Sequence, residues 1–299
     1  MAERRRAAAW LAGALVAGLA TTGVGVAGAS AGTSARGDRP VVVVVRDPRI
    51  VESSGLVALP DGFWTTNDSG DAGVLYRVDA LSGRTVQRVT WSADPVDVEA
   101  LAPGAGRRGE RELWVGDLGD NDEVRRSVSV TRVRPGEADG DGTAYTLVYP
   151  DGPADAEALL VHPVTGRVYV ATKALLGGGL YAAPARLDPG GPNRLRRIGS
   201  VPPLVTDGAF WPGGRAFVLR GYAAATAYTF PQLERIGSFP LPEQPQGEGV
   251  AVGRDGDLYL SSEGLRQPIL RLSVRDATAA TATAAARVLG STGSWLTGP

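Results

Sequence analysis

The chain has 299 residues, 43% of them hydrophobic, and a formal net charge of −1. This near-neutral balance leaves no electrostatic footprint for nucleic acid or an anionic membrane surface. With no cysteine in the sequence, disulfides, zinc–thiolate sites, thiol nucleophiles and lipid-modified cysteines are excluded.

The first element is a leader. Arg4-Arg5-Arg6 precedes an apolar run over 7–29, and Ala29-Ser30-Ala31 supplies the small-x-small pattern of a cleavage site. The expectation is a signal peptide over 1–31, a flexible linker over 32–39 and a single domain over 40–299, exported and extracytoplasmic. An uncleaved membrane anchor is the alternative for the apolar run. No later stretch is apolar enough to span a bilayer.

A repeat organises the rest. Five segments resemble one another: ESSGLVALPDGFWTTND, DVEALAPGAGRRGERELWVGD, DAEALLVHPVTGRVYVATK, DGAFWPGGRAFVLRG and GEGVAVGRDGDLYLSSEG. Each opens on polar or small residues and an apolar position (Leu56, Leu101, Leu159, Phe210, Val250). Each then turns at Gly, Pro or Asp and runs into a strand with an aromatic: Trp64, Trp114, Tyr169, Phe217 and Tyr259. Two more strand-like runs follow each segment. The third strands read as GVLYRVD, SVSVTRV, GLYAAPARL, ATAYTF and PILRLSV; the fourth as TVQRVTW, AYTLVYP, LRRIGSVP, ERIGSFPL and ARVLGS.

Five units of four antiparallel strands predict an all-β fold, a five-bladed β-propeller. The strand VVVVV at 41–45 is expected to join the last blade and close the ring, removing the two open sheet edges. The long interval between Leu101 and Leu159 leaves room for a sixth, degenerate blade. A β-sandwich is the alternative architecture.

In a propeller the start of strand one and the end of strand two ring the axis on one face. The first positions hold Glu52, Asp97, Glu99, Asp155, Glu157, Asp207, Gln246 and Glu248. The second hold Asn67, Asp68, Asp117, Thr172, Lys173, Arg220, Ser262 and Glu263. Carboxylates two apart, such as Asp97 and Glu99, share one side of a strand. Like charges crowded at an axis need a cation or a basic residue to compensate them. All-oxygen ligands favour Ca²⁺, with Asp71, Asp97, Glu99, Asp117, Asp120, Asp155 and Glu157 as the metal candidates. Asn67, Asp68, Lys173, Arg220, Glu248 and Glu263 are the ligand-binding candidates. Lys173, the only lysine, and Arg220 either neutralise the acidic ring or hold an anionic group beside a metal.

Several chemistries drop out. His162 is the only histidine and falls in the turn on the opposite face, so neither a Ser-His-Asp triad nor an ordinary zinc site can be built. No phosphate-cradling glycine loop precedes a helix. Paired carboxylates for acid–base hydrolysis remain open, and no catalytic residue is assigned.

ESSGL, NDSGD, DVEAL, LWVGDLGDN, YPDGPADAEALLVHPVTGRVYVATK and GEGVAV occur in that order between residues 47 and 265. In this the chain resembles exported bacterial propeller proteins labelled phytase-like, or "esterase-like activity of phytase", many of them WD40-like secreted proteins. The resemblance implies a metal-assisted site for an anionic ester in the funnel. The residues carried over are Asp68, Asp71, Asp117 and Asp120 from two turns, with Glu99 and Glu157 from inner strands. Calcium-dependent propeller phytases have six blades and several lysines near the metals; this chain shows five units and one lysine. Three functions stay open: a binding propeller for a small anionic ligand or a cell-envelope protein or glycan, a metal-dependent phosphoesterase or esterase, and a purely structural envelope protein.

Overall fold

A computed structural model describes residues 41–68, 72–91, 94–105, 112–136 and 142–274. The leader, the linker, Asp71 and the ARVLGS run lie outside the described residues.

Every described sheet is a blade. The chain enters as β1 (Val41–Val44). Blade one is β2 (Ser53–Leu59), β3 (Gly62–Asn67), β4 (Val74–Asp79) and β5 (Thr85–Thr90). Blade two is β6 (Val98–Pro103), β7 (Leu113–Asp117), β8 (Val128–Val133) and β9 (Thr143–Val148). Blade three is β10 (Ala156–Val161), β11 (Val168–Thr172) and β12 (Gly179–Ala182), then the short excursion β13 (Asn193–Arg194), then β14 (Arg196–Ser200). Blade four is β15 (Asp207–Phe210), β16 (Ala216–Arg220), β17 (Ala224–Thr229) and β18 (Arg235–Pro240). Blade five is β19 (Gly247–Val252), β20 (Leu258–Ser262) and β21 (Pro268–Leu272), completed on its outer edge by β1.

The inner strands β2, β6, β10, β15 and β19 touch in sequence, and β19 touches β2 again, so the ring is closed. Closure follows the expected route: Val44 of β1 pairs with Pro268 of β21. The 101–159 interval holds no sixth blade among the described residues; β7, β8 and β9 occupy it.

Two details depart from the sequence reading. The third strand of blade three stops at Ala182 instead of running to Leu187. The chain then reaches back as β13 and pairs parallel with β9, the edge of blade two. The Asn193 side chain holds this excursion by donating to the Thr146 carbonyl (3.1 Å) and accepting from Asp188 N–H (2.8 Å). A covered edge cannot template pairing with another chain.

The core is five apolar clusters, each between neighbouring blades. The middle strands are buried on both sides, and their period of two divides each between two clusters. In β11, Val168 and Val170 face blade two while Tyr169 and Ala171 face blade four. In β3, Phe63 packs toward blade five and Trp64 toward blade two. Among the described residues no helix is long and apolar enough to cross a membrane.

Candidate functional site

The inner strands are not regular. Pairing skips between Ser54 and Leu56, Val98 and Ala100, Ala156 and Ala158, and Gly247 and Val250. Each skip is a β-bulge, which re-aims a side chain away from the ladder. Glu99, Glu157 and Glu248 fall in these bulges in blades two, three and five. The simple two-residue alternation expected for Asp97 and Glu99 is therefore replaced: Asp97 precedes β6, and Glu99 is its unpaired residue. In blade one the bulge holds Gly55, at φ +64°. A Cβ there would press on the Leu101 backbone nitrogen of the neighbouring inner strand, which is why the first repeat reads SSGL rather than DVEAL.

The second strands end at one position in every blade: Asn67, Asp117, Thr172, Arg220 and Ser262, each opposite the first paired residue of the inner strand. In three blades this side chain fastens the incoming chain. Asn67 Oδ1 accepts from Val51 N–H (3.1 Å) and Glu52 N–H (3.3 Å). Asp117 accepts from Val96 N–H (3.1 Å) and Asp97 N–H (3.0 Å) and pairs with Arg125 at 2.8 Å. Ser262 Oγ accepts from Gln246 N–H (3.1 Å). The following residue is Asp68, Lys173 or Glu263 in blades one, three and five, and its N–H bonds back to the inner strand's approach.

Carboxylates thus converge from four blades. One oxygen each of Asp68, Asp97 and Glu99 lies within 4.8 Å of the others. Ca²⁺–oxygen bonds of about 2.4 Å put two ligands of one ion at most about 4.8 Å apart, so the three oxygens fit one calcium. Glu99 is only 6% exposed, and among the described residues no donor bonds its carboxylate. Burial, then the charges of Glu157, Asp68, Asp97 and Glu248, hold it well above the usual carboxylate range. Asp97 is pushed up to about 7 by burial, then by Asp68 and Asp155. Burial lifts Glu248 to about 7 against the pull of Lys173 and Arg220. It lifts Glu263 to about 8, with help from Glu248 and Asp68. The loop after β7 passes directly over this cluster: a Cβ on Gly119 would sit 2.6 Å from Asp97 Cγ and 2.8 Å from Glu99 Oε1. The glycine of GDLGD is a close-approach residue.

Two cations, Lys173 and Arg220, come from blades three and four. Lys173 Nζ contacts Glu157 Oε1 and donates to Tyr222 Oη (3.1 Å). Burial pulls Lys173 down, but Glu157 and Tyr222 outweigh it and keep the ammonium charged. Glu157 Oε2 is buried without a hydrogen bond, and burial raises Glu157 despite the lysine. Arg220 is wholly buried. Its Nη1 donates to the Gly249 (2.5 Å) and Ser261 (2.9 Å) carbonyls, and its Nη2 to Gln244 Oε1 (2.6 Å). Burial pulls it down to about 10, opposed by Glu248 and Asp207. It stitches blade four to blade five rather than standing open in the mouth.

The sequence candidates therefore sort into two sets. Asp68, Asp97 and Glu99 come together, with Glu157, Glu248 and Glu263 in the same electrostatic field. Asn67, Asp117 and Asp120 have side-chain oxygens occupied by backbone N–H groups. Asp120 accepts from Val124 (3.0 Å) and Arg125 (2.8 Å), while its own N–H donates to Asp155 Oδ1 (2.9 Å). Buried Asp207 accepts from Gly208 (2.7 Å) and from Val250 (2.7 Å) of the next blade. The sequence reading missed Arg125, which also donates to the Gly119 carbonyl (2.6 Å), and Tyr222. Tyr222 had a signal, being the lone aromatic in the second-to-third-strand loops. His162, on the far face, accepts from Val164 and Thr165 N–H at 3.2 Å and packs on Phe210 and Phe230.

The fold and site together define a five-bladed β-propeller with a cluster of carboxylates where its inner strands begin. No protein-family model and no curated protein sequence matches the chain. Solved structures match at low identity. A glucose dehydrogenase is 12% identical with a TM-score of 0.47, over 78% of this chain and 98% of its own. The glutaminyl cyclase of Myxococcus xanthus is 10% identical with a TM-score of 0.47, over 78% and 94%. The β-propeller domain of Myceliophteria thermophila Cps50 (Swd1) is 12% identical with a TM-score of 0.42, over 73% and 64%. These are likenesses of fold. The phytase-like resemblance remains one of short motifs.

Proposed function

We propose that this chain is an exported binding propeller whose acidic funnel takes a cation, calcium among the metals, and engages its extracytoplasmic ligand through the same face. The observation that carries this reading is Glu99: a buried carboxylate that no donor among the described residues bonds, surrounded by carboxylates from four blades. Such a group is costly unless a positive charge arrives from outside the fold. Asp68, Asp97 and Glu99 supply the first oxygens, and the metal would neutralise them and lock blade one to blade two. Export rests on the Arg4–Arg6 and Ala29–Ala31 signature of the leader.

The test is thermal unfolding in chelator and in millimolar calcium. A ligand that binds only the folded state raises the midpoint. A rise that disappears in Glu99→Gln supports the reading; no rise in the parent chain removes calcium from it.

A second reading is a metal-dependent phosphoesterase, favoured by one observation: Lys173 is held cationic at the edge of the same funnel, where an anionic ester would meet it. Turnover of 4-nitrophenyl phosphate that requires calcium and is lost in Lys173→Met would favour it over binding alone.

A further inference from the structure

We propose that the funnel face is a docking surface for a protein segment that inserts a lysine or arginine side chain into the acidic mouth and lays apolar flanking residues on the rim. The proposal rests on the cation reading of the funnel and names a partner for it.

Two independent observations meet here. The first is the unmatched charge. Lys173 and Arg220 belong to blades three and four, and Arg125 of blade two is taken up by Asp117, whereas Asp68, Asp97, Glu99, Glu248 and Glu263 belong to blades one, two and five. Among them Glu99 is nine-tenths buried, and no donor among the described residues bonds its carboxylate. An incoming ammonium or guanidinium supplies positive charge to the group and N–H donors to the Glu99 carboxylate.

The second is the rim. Each second strand ends beside the start of its inner strand, so the loop that follows lies on the funnel face. Surface loops are normally polar, yet in blades two to five each carries an exposed apolar or aromatic side chain. Val124 is 71% exposed, Leu175 74%, Leu176 94%, Tyr222 39% and Leu265 58%. A polar centre collared by apolar side chains is the layout of a protein-binding hot spot, in which the surrounding contacts exclude water from a central charge pair. A bare metal ion uses the carboxylates but leaves the collar without a role. A basic residue flanked by apolar ones uses both. Because calcium and the inserted side chain need the same oxygens, they compete.

The experiment uses the full chain and three immobilised pools of capped pentapeptides, with central Lys, norleucine or Glu and flanks drawn from Leu, Ile, Val and Phe. The Lys pool is expected to retain the protein about tenfold better than either other pool. Leu175→Ser/Leu176→Ser is expected to weaken retention about fivefold without moving the unfolding midpoint, since both side chains are exposed, and Glu263→Gln is expected to weaken retention about as much. Millimolar calcium is expected to release the protein. Equal retention on the Lys and norleucine pools, or retention unchanged by Leu175→Ser/Leu176→Ser, overturns the proposal. A calcium-raised midpoint with no retention on the Lys pool overturns docking alone and leaves the calcium reading standing. Retention on the Lys pool with no calcium effect on the midpoint supports docking and removes calcium.

Discussion

Lys173 and Glu157 form a half-satisfied pair: the ammonium contacts Oε1, while Oε2 of the same carboxylate is buried without a hydrogen bond. The lysine comes from the loop after β11, the glutamate from the bulge of β10. Removing the cation leaves Glu157 uncompensated among Asp155 and Glu248. Lys173→Met is expected to lower stability in chelator by about 2–4 kcal/mol, the cost of breaking a largely desolvated pair. Urea unfolding at pH 7.5 measures it, and an unchanged midpoint would mean that the pair contributes nothing.

The acidic cluster gives stability a pH slope. Asp97, Glu248 and Glu263 titrate near 7 to 8 in the folded chain, above the ordinary range of about 4 in the unfolded one. Between those limits the folded state binds more protons, so stability falls as pH rises. In chelator the unfolding midpoint is expected to drop between pH 5.5 and 8.5. Calcium, taking the place of the protons, is expected to flatten that slope. A midpoint that climbs over this window would contradict the arrangement.

Glu99→Gln keeps the shape and removes one titratable carboxyl, whose ionised form burial disfavours, from the cluster. In chelator at pH 8 it is expected to raise the midpoint by a few degrees, about 1–2 kcal/mol for a domain of this size. Differential scanning calorimetry of parent and variant checks the sign, which is the reverse of an ordinary buried substitution.

Arg220 binds blade four to the Gly249 and Ser261 carbonyls of blade five and faces Asp207 and Glu248. Its removal orphans two carbonyls and a buried acid. Arg220→Met is expected to cost about 3–5 kcal/mol, read as a lower urea midpoint, with or without calcium.

The ring depends on β1. Val43 and Val45 are buried in the cluster between blades five and one, and β1 covers the edge of β21. Deleting residues 1–45 is expected to expose that edge and produce oligomers by size-exclusion chromatography. A monomer with an unchanged midpoint would show that the strand is dispensable.

The sequence by itself determined the blades. Turn chemistry at Gly, Pro and Asp and the period of two in strands such as VYVAT are local, so five units and a closing strand at 41–45 could be read without contacts. The axial residues were legible as a set for the same reason, since the repeat aligns Glu99, Glu157 and Glu248. Their roles were not. Asp117 looks like Asp68 in sequence, but only the folded loop hands its oxygens to Val96, Asp97 and Arg125. Arg220 looked like a funnel cation, but only packing shows it wholly buried between blades four and five. The bulges that take the glutamates out of the ladder lie within single blades, but the burial and the neighbouring charges that move their titration come from different blades. Charge and solvation at one point depend on everything the fold brings there, which no single stretch of chain contains.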